Sequence, residues 1–238
     1  MNKVNYGIDA PGIMRNLILF GAIVIGIGVS INLFKVNTIV QFICYLVQFT
    51  GAILFILGIA MFVYGLKGKY RTRDLMLSKI KWTGNETVLD IGTGQGLLMN
   101  GAAKYLTTGR SIGIDIWSSK DLSDNSINKT LENATLEGVE DKIEVRNEDV
   151  RSLTFEDNTF DVILSLLCIH NIESKEDQEK ACFEIARVLK PNGTVLIGDY
   201  IPTTEYAKAF TKAGLTVKSS KQYFSTAYAL MWIVEATK

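Results

Sequence analysis

The chain has 238 residues, 47% of them apolar, and its 25 basic residues balance 25 acidic ones. That length accommodates one ordinary domain with an appendage, and a formal net charge of +0 argues against a chain built as a whole to hold a polyanion. The charges are uneven, however: the first 66 residues carry Lys3, Arg15 and Lys35 against Asp9, which leaves 22 basic and 24 acidic residues after them, a net of −2.

No charged residue lies between Arg15 and Lys35, a run of 19, or between Lys35 and Lys67, a run of 31. A helix needs about 20 apolar residues to cross the hydrocarbon core of a bilayer. Residues 1–66 therefore read as a transmembrane hairpin, with spans from Leu17 to Phe34 and from Phe42 to Leu66. The first run lacks the small-x-small site of a cleaved signal peptide. Ala22, Gly26 and Ser30 form a small-residue stripe at four-residue spacing, which would let two helices approach closely. Lys67, Lys69, Arg71 and Arg73 follow the second span, Lys3 and Arg15 precede the first, and Lys35 alone lies between them. The bias of basic flanks then puts both termini, and everything after the hairpin, in the cytoplasm.

Residues 67–82 read as a basic linker helix, with Leu75, Met76, Ile80 and Trp82 apolar between Tyr70 and Trp82. Its basic cluster suits anionic headgroups. Over residues 83–238 strands and helices alternate. Strands are expected at Thr87–Ile91, Ile112–Ile116, Ile143–Asn147, Asp161–Leu166, Val195–Tyr200, Thr216–Gln222 and Ala227–Ala236. Helices are expected at Gly94–Tyr105, Asn125–Glu137, Lys175–Val188 and Thr204–Ala213. This order predicts an α/β fold, a doubly wound and mostly parallel sheet with helices on both faces. The last two strands have no helix between them, so one of them should run antiparallel. A ligand site belongs at the carboxyl ends of the strands, where the strand order reverses.

The most informative segment is Val88-Leu89-Asp90-Ile91-Gly92-Thr93-Gly94-Gln95-Gly96. A short apolar strand ends in an acid, and three glycines on alternate positions open into a helix. Such a turn brings a ligand close to the backbone, with helix N–H groups aimed at it. Dinucleotide-binding turns read G-x-G-x-x-G and meet a pyrophosphate. Here the spacing is G-x-G-x-G, and the Asp90 carboxylate would repel a pyrophosphate. It favours a ligand with positive charge, and S-adenosylmethionine carries both an ammonium and a sulfonium.

The segment resembles the first motif of the class I S-adenosylmethionine-dependent methyltransferases, and the resemblance runs from about Leu75 to Lys238. Ser111 to Ile116 reads as a second strand ending in Asp115, about 20 residues after the turn, a spacing that suits a carboxylate accepting from two ribose hydroxyls. Ile116 and Trp117 follow it, and Trp117 is placed to pack on the adenine. Glu148-Asp149-Val150 resembles the family's adenine-contacting turn, Phe160 to Ser165 its fourth strand, and Leu189 to Thr194 its turn into the fifth. The resemblance thus implies S-adenosylmethionine as cofactor and a seven-stranded Rossmann-like sheet. It implies contacts from Asp90, Gly92, Gly94, Gly96, Asp115, Ile116, Trp117, Asp149, Val150 and Ser165. It also places His170, the sole histidine, and Tyr200, after the fifth strand, near the transferred methyl. As a base His170 would titrate in the useful range; the alternative is a histidine that caps a loop or orders the cofactor.

Arsenic-type cysteine sets, a catechol-type acidic trio and an Asn-Pro-Pro-Tyr run are lacking, and Cys44, Cys168 and Cys182 show no metal spacing. The general likeness is to the small-molecule, lipid and quinone branch. The expected activity is that of a membrane-anchored methyltransferase whose partners are the bilayer and a small, membrane-dissolved acceptor, with no nucleic acid. A nicotinamide-dependent oxidoreductase and a non-catalytic, cofactor-binding membrane scaffold stay open as alternatives.

Overall fold

In the computed structural model of the protein, residues 3–34, 36–118, 121–224 and 229–238 are described. Two long helices come first, α1 (Pro11–Asn32) and α2 (Thr38–Val63). Pro11 occupies the first turn of α1, where its missing N–H costs nothing. The Asn37 side chain caps α2 by accepting from the Val40 N–H. The expected loop residue Lys35 lies outside the described residues. Both helices are long and apolar enough to cross a membrane, and most of their large side chains, Phe20, Ile23, Phe42, Phe49 and Ile56 among them, face outward.

The contact between them is not made by the Ala22, Gly26 and Ser30 stripe. Those three residues are exposed, and a Cβ on Gly26 would touch nothing. The buried positions are Gly21 and Gly28 on α1 and Cys44, Gly51 and Gly58 on α2, seven residues apart on each helix. A Cβ on Gly21 would lie 2.6 Å from the Phe55 backbone nitrogen, and one on Gly58 the same distance from the Ile18 side chain. A seven-residue repeat stays on one face of two gently coiled helices, whereas a four-residue step drifts around a long one.

A single wide π-type turn, Tyr64–Gly68, joins α2 to α3 (Lys69–Ser78). That helix stops short of the expected Trp82, whose indole instead donates back to the Leu77 carbonyl at 3.0 Å and stacks on Tyr105. Strands β1 (Thr87–Ile91), β2 (Arg110–Asp115), β3 (Ile143–Asn147) and β4 (Phe160–Leu166) follow, with α4 (Leu97–Ala103) after β1 and α5 (Ile127–Glu137) after β2. Then come α6 (Lys175–Val188), β5 (Leu189–Asp199), α7 (Thr204–Lys212), β6 (Thr216–Gln222) and β7 (Trp232–Thr237). The sheet order is β3-β2-β1-β4-β5-β7-β6. Only β7 runs against its neighbours, as the missing helix between the last two strands requires. This is the seven-stranded, Rossmann-like methyltransferase fold, and its order reverses between β1 and β4, which opens a crevice at their carboxyl ends.

Boundaries moved for identifiable reasons. Helix α4 begins at Leu97 rather than Gly94, because Gly92, Gly94 and Gly96 all have positive φ (67°, 51° and 89°) and no right-handed helix starts until the last of them. Strand β5 begins six residues early, since Leu189 already pairs with Phe160 and a bulge then realigns Val162 with Thr194. Ala227 and Tyr228, the start of the last expected strand, lie outside the described residues, and β7 itself begins at Trp232.

The segment before α1, assigned by sequence to the hairpin, packs along the catalytic side. Ile8 and Ser123 exchange two hydrogen bonds, from the Ile8 N–H to the Ser123 hydroxyl and from the Ser123 N–H to the Ile8 carbonyl. The Ala10 N–H donates to the Asp121 carbonyl at 2.8 Å. Tyr6 is 2% exposed and reaches Glu137. Residues 3–10 thus form a strap on the domain, with the apolar helix α1 directly behind it.

Candidate active site

The glycine turn is held from both sides. The Gly92 and Thr93 N–H groups donate to the Ile114 carbonyl, which pins the turn to β2. Asp90, buried at 1% exposure, accepts from the Thr93 hydroxyl at 2.8 Å and from the Met99 N–H at 2.9 Å. Its carboxylate therefore ties β1 to the first turn of α4. Burial pushes the Asp90 carboxyl up to about 7, and the nearby charge of Asp115 adds to the effect.

The sign of the resulting pH dependence follows. The folded value lies above the unfolded one of about 3.9, so the folded state holds the extra proton between them. Apoprotein stability should fall as pH rises from about 4 to about 7. A cationic ligand favours the ionised acid, so cofactor binding near pH 7 should release a proton and tighten as pH rises through 7. Titration calorimetry in buffers of differing ionisation enthalpy measures the release. An equal heat in every buffer would remove Asp90 from the ligand's electrostatic field.

Asp115 stands at the end of β2. Its Oδ2 accepts from the Gly94 N–H at 2.8 Å and its Oδ1 from the Trp117 N–H at 2.6 Å, while Asn125 approaches at 3.4 Å. The carboxylate is thereby fixed in orientation; Oδ2, with one donor, keeps a lone pair for a ribose hydroxyl, and Oδ1 can take a second by giving up the long Asn125 bond. Asp115→Ala should weaken cofactor binding at least tenfold, because it removes two charge-assisted bonds worth about 1.5–3 kcal/mol each. An unchanged dissociation constant would take Asp115 out of the site.

A cavity of about 650 Å³ opens here, lined among others by Gly92, Gly94, Asp115, Ile116, Asp149 and Val150. Six of the residues expected from sequence therefore meet on one wall. Ile116, 64% exposed, offers an apolar face to a flat ring. A smaller cavity of about 50 Å³ adjoins it, shares Gly92 and Gly94, and adds Asp90. The others stand back. Gly96 supplies the left-handed start of α4. Ser165 is wholly buried, and its hydroxyl donates to the Ile91 carbonyl, a bond across the sheet. Trp117 has φ of 59°, and its indole nitrogen is buried without a partner. The Asp149 carboxylate is clasped by the Arg151 guanidinium, which holds its pKa below the usual range. Beside it, Glu148 Oε2 is buried without a partner and also lines the large cavity, which makes it one of the free acceptors there, with Asp9 Oδ2 and Asn125 Oδ1.

His170 lies in a short 3-10 turn between Cys168 and Asn171, both of which line the large cavity. Its Nδ1 is 2.8 Å from Asp199 Oδ1, and its ring meets Tyr200 edge-on with centroids 4.5 Å apart. Nδ1 is not aligned for a hydrogen bond to the Asp199 oxygen, so the contact is a close approach of ring and carboxylate. Asp199, fully buried at the end of β5, accepts from the Tyr200 N–H at 2.8 Å and the Tyr206 hydroxyl at 3.0 Å. Sequence reasoning missed Asp199 and Tyr206. An acid at the end of a central strand was a signal for the first; nothing local marked the second, since only the packing of α7 on β5 brings Tyr206 there.

These features suit S-adenosylmethionine. The glycine turn has no side chain where the ligand backbone must pass, the acid of β2 is oriented outward, and buried acceptors (Glu148 Oε2 and Asp9 Oδ2) remain unpartnered at the cavity walls. Comparison with known proteins agrees. Residues 89–197 match a family model described as a methyltransferase domain. The chain is 33% identical over 129 residues to a glycine/sarcosine/dimethylglycine N-methyltransferase of Actinopolyspora halophila, covering 54% of this chain and 21% of that protein. It is 30% identical over 150 residues to a ubiquinone/menaquinone biosynthesis C-methyltransferase of Hydrogenovibrio crunogenus, covering 62% and 55% respectively. Among solved structures the (4+2)-cyclase SpnF superposes with a TM-score of 0.59 at 17% identity, over 71% of this chain and 81% of that one, a likeness of fold alone. Residues 89–197 thus carry a methyltransferase domain, and the part of the chain that follows α3 is similar in sequence and fold to S-adenosylmethionine-dependent methyltransferases. The chain spans about half or less of the length of the first curated relatives it matches.

Proposed function

We propose that this protein methylates a small, membrane-dissolved acceptor, lipid or quinone-like, from S-adenosylmethionine at the cytoplasmic face of a bilayer, with both termini on that side. The observation that carries the reading is the single run of structure from α1 and α2, whose outward faces are apolar, into α3 and the strap, both packed on the catalytic domain. An anchor so short and so directly joined holds the site within reach of the bilayer surface, which raises the local concentration of a lipid-phase acceptor.

When bound, the cofactor supplies an activated methyl group on sulfur. The chain's own residues do the rest. Asp115 would hold the ribose, Ile116 and Val150 would offer apolar contact to the adenine, and Glu148 would accept from its amino group. Asp90 and the glycine turn keep the positive end of the cofactor in a negative field. The His170–Asp199 pair supports an acceptor that gives up a proton: Asp199 lies against the ring, and the imidazole takes the proton from a hydroxyl or an activated carbon. Inverted membrane vesicles carrying the full chain and methyl-labelled cofactor provide the test. Label should enter the organic-soluble fraction. Label confined to water-soluble products, or a reporter fused at Lys238 that lies outside the cell, would overturn the reading.

A further inference from the structure

The matched domain begins at residue 89, yet the smaller cavity is closed by residues well before it. Tyr6 and Asp9 of the strap, and Tyr64 and Lys69 of the segment leaving α2, line it opposite Asp90, Gly92 and Gly94. Its volume, about 50 Å³, has room for a few water-sized groups at roughly 10–15 Å³ each. That is the scale of an amino-acid head group and too small for a ring system. Asp9 lines both cavities and so stands where they join.

Two polar atoms on this wall have no partner. Asp9 Oδ2 is buried without a hydrogen bond, 3.5 Å from Lys69 Nζ, and the Tyr64 hydroxyl is buried and unpaired. Such groups are costly to bury empty-handed, which points to an absent partner. Lys69, itself 2% exposed, pairs with Asp9 by charge at 3.5 Å but directs its protons elsewhere. It donates to the carbonyls of Tyr6, at 2.7 Å, and Gly7, and so holds the strap down. Gly7 has φ of 70°, and a Cβ there would meet Gln95, Leu122 and Ser123 at 2.9–3.0 Å. The strap is therefore shaped to lie against the glycine turn.

We propose that Asp9 and Tyr64 bind the α-amino-acid group of the cofactor: the Asp9 carboxylate takes its ammonium, and the Tyr64 hydroxyl donates to its carboxylate. This rests on the cavity being the S-adenosylmethionine site. It deepens that reading by placing part of the cofactor site on the chain's membrane-flanking segments. Sequence reasoning had put every cofactor contact after residue 82. A domain cut free of residues 1–66 loses Tyr6, Asp9 and Tyr64 together.

The experiment uses the full chain in detergent micelles. Calorimetry with S-adenosylhomocysteine, which carries the amino-acid group, is compared with competition by millimolar 5′-methylthioadenosine, which lacks it. Asp9→Asn and Tyr64→Phe should each weaken S-adenosylhomocysteine at least tenfold and leave 5′-methylthioadenosine within twofold. Tyr64→Phe removes a hydroxyl that bonds nothing in the free protein, so a purely structural role predicts no change from it. Equal weakening of both ligands, or no change in either, overturns the proposal. Failure of the unaltered chain to bind S-adenosylhomocysteine would instead overturn the cofactor reading beneath it.

Discussion

His170→Ala should lower kcat by about 10²- to 10⁴-fold, the range of a lost general base, while S-adenosylhomocysteine affinity stays within twofold. The expectation comes from geometry. Asp199 is buried, takes two donors, from the Tyr200 N–H and the Tyr206 hydroxyl, and lies 2.8 Å from His170 Nδ1. A carboxylate so constrained keeps a fixed place against the imidazole. Tyr206→Phe keeps the dyad and removes one support, so its loss should be smaller, near tenfold. A His170→Ala variant that keeps kcat within threefold would show that the acceptor needs no deprotonation by His170.

Gly92→Ala should reduce cofactor affinity by at least 100-fold, a larger effect than the same change at Gly94. A Cβ on Gly92 would fall 2.4 Å from Cys168 Sγ and 2.5 Å from Cys168 Cβ, at a φ of 67° that already strains any L side chain. The clash is with atoms close to the backbone, so the turn itself must move, and with it the N–H that bonds the Ile114 carbonyl. At Gly94 the nearest atom is Leu122 Cδ2 at 2.7 Å, the far end of a side chain that can rotate away. Gly92→Ala combined with Cys168→Gly should recover part of the affinity, since both opposing atoms are gone. Isothermal titration of the three variants decides the matter. Equal losses at Gly92 and Gly94 would mean that ligand contact, not packing against Cys168, sets the requirement for glycine.

What could be read along the chain was whatever repeats locally or obeys short spacing. Alternating apolar strands and polar-faced helices, the G-x-G-x-G turn after Asp90, and Asp115 at the end of the next strand all follow from local conformational rules. They led to the right sheet, to one antiparallel strand among the last two, and to residues that line one wall of the cavity. The two uncharged runs likewise announced two long apolar helices. Helix and strand ends were less legible, because bulges and positive φ values, as at Gly96 and before Thr194, depend on partners across the sheet.

Tertiary structure decided the rest, for one physical reason: these contacts join residues far apart in sequence, where no periodicity links them. Asp199 meets His170 only because β4 and β5 are neighbours. Tyr206 joins them only when α7 packs back. The seven-residue glycine register of α1 and α2 emerged over the four-residue stripe because two helices select a common coil that neither shows alone. The strap is the clearest case. Nothing in the order of residues 3–10 marks them as part of a site; their place is set by a buried lysine 62 and 63 residues away holding two of their carbonyls, and by a turn in the β2–α5 connection offering the matching hydrogen bonds.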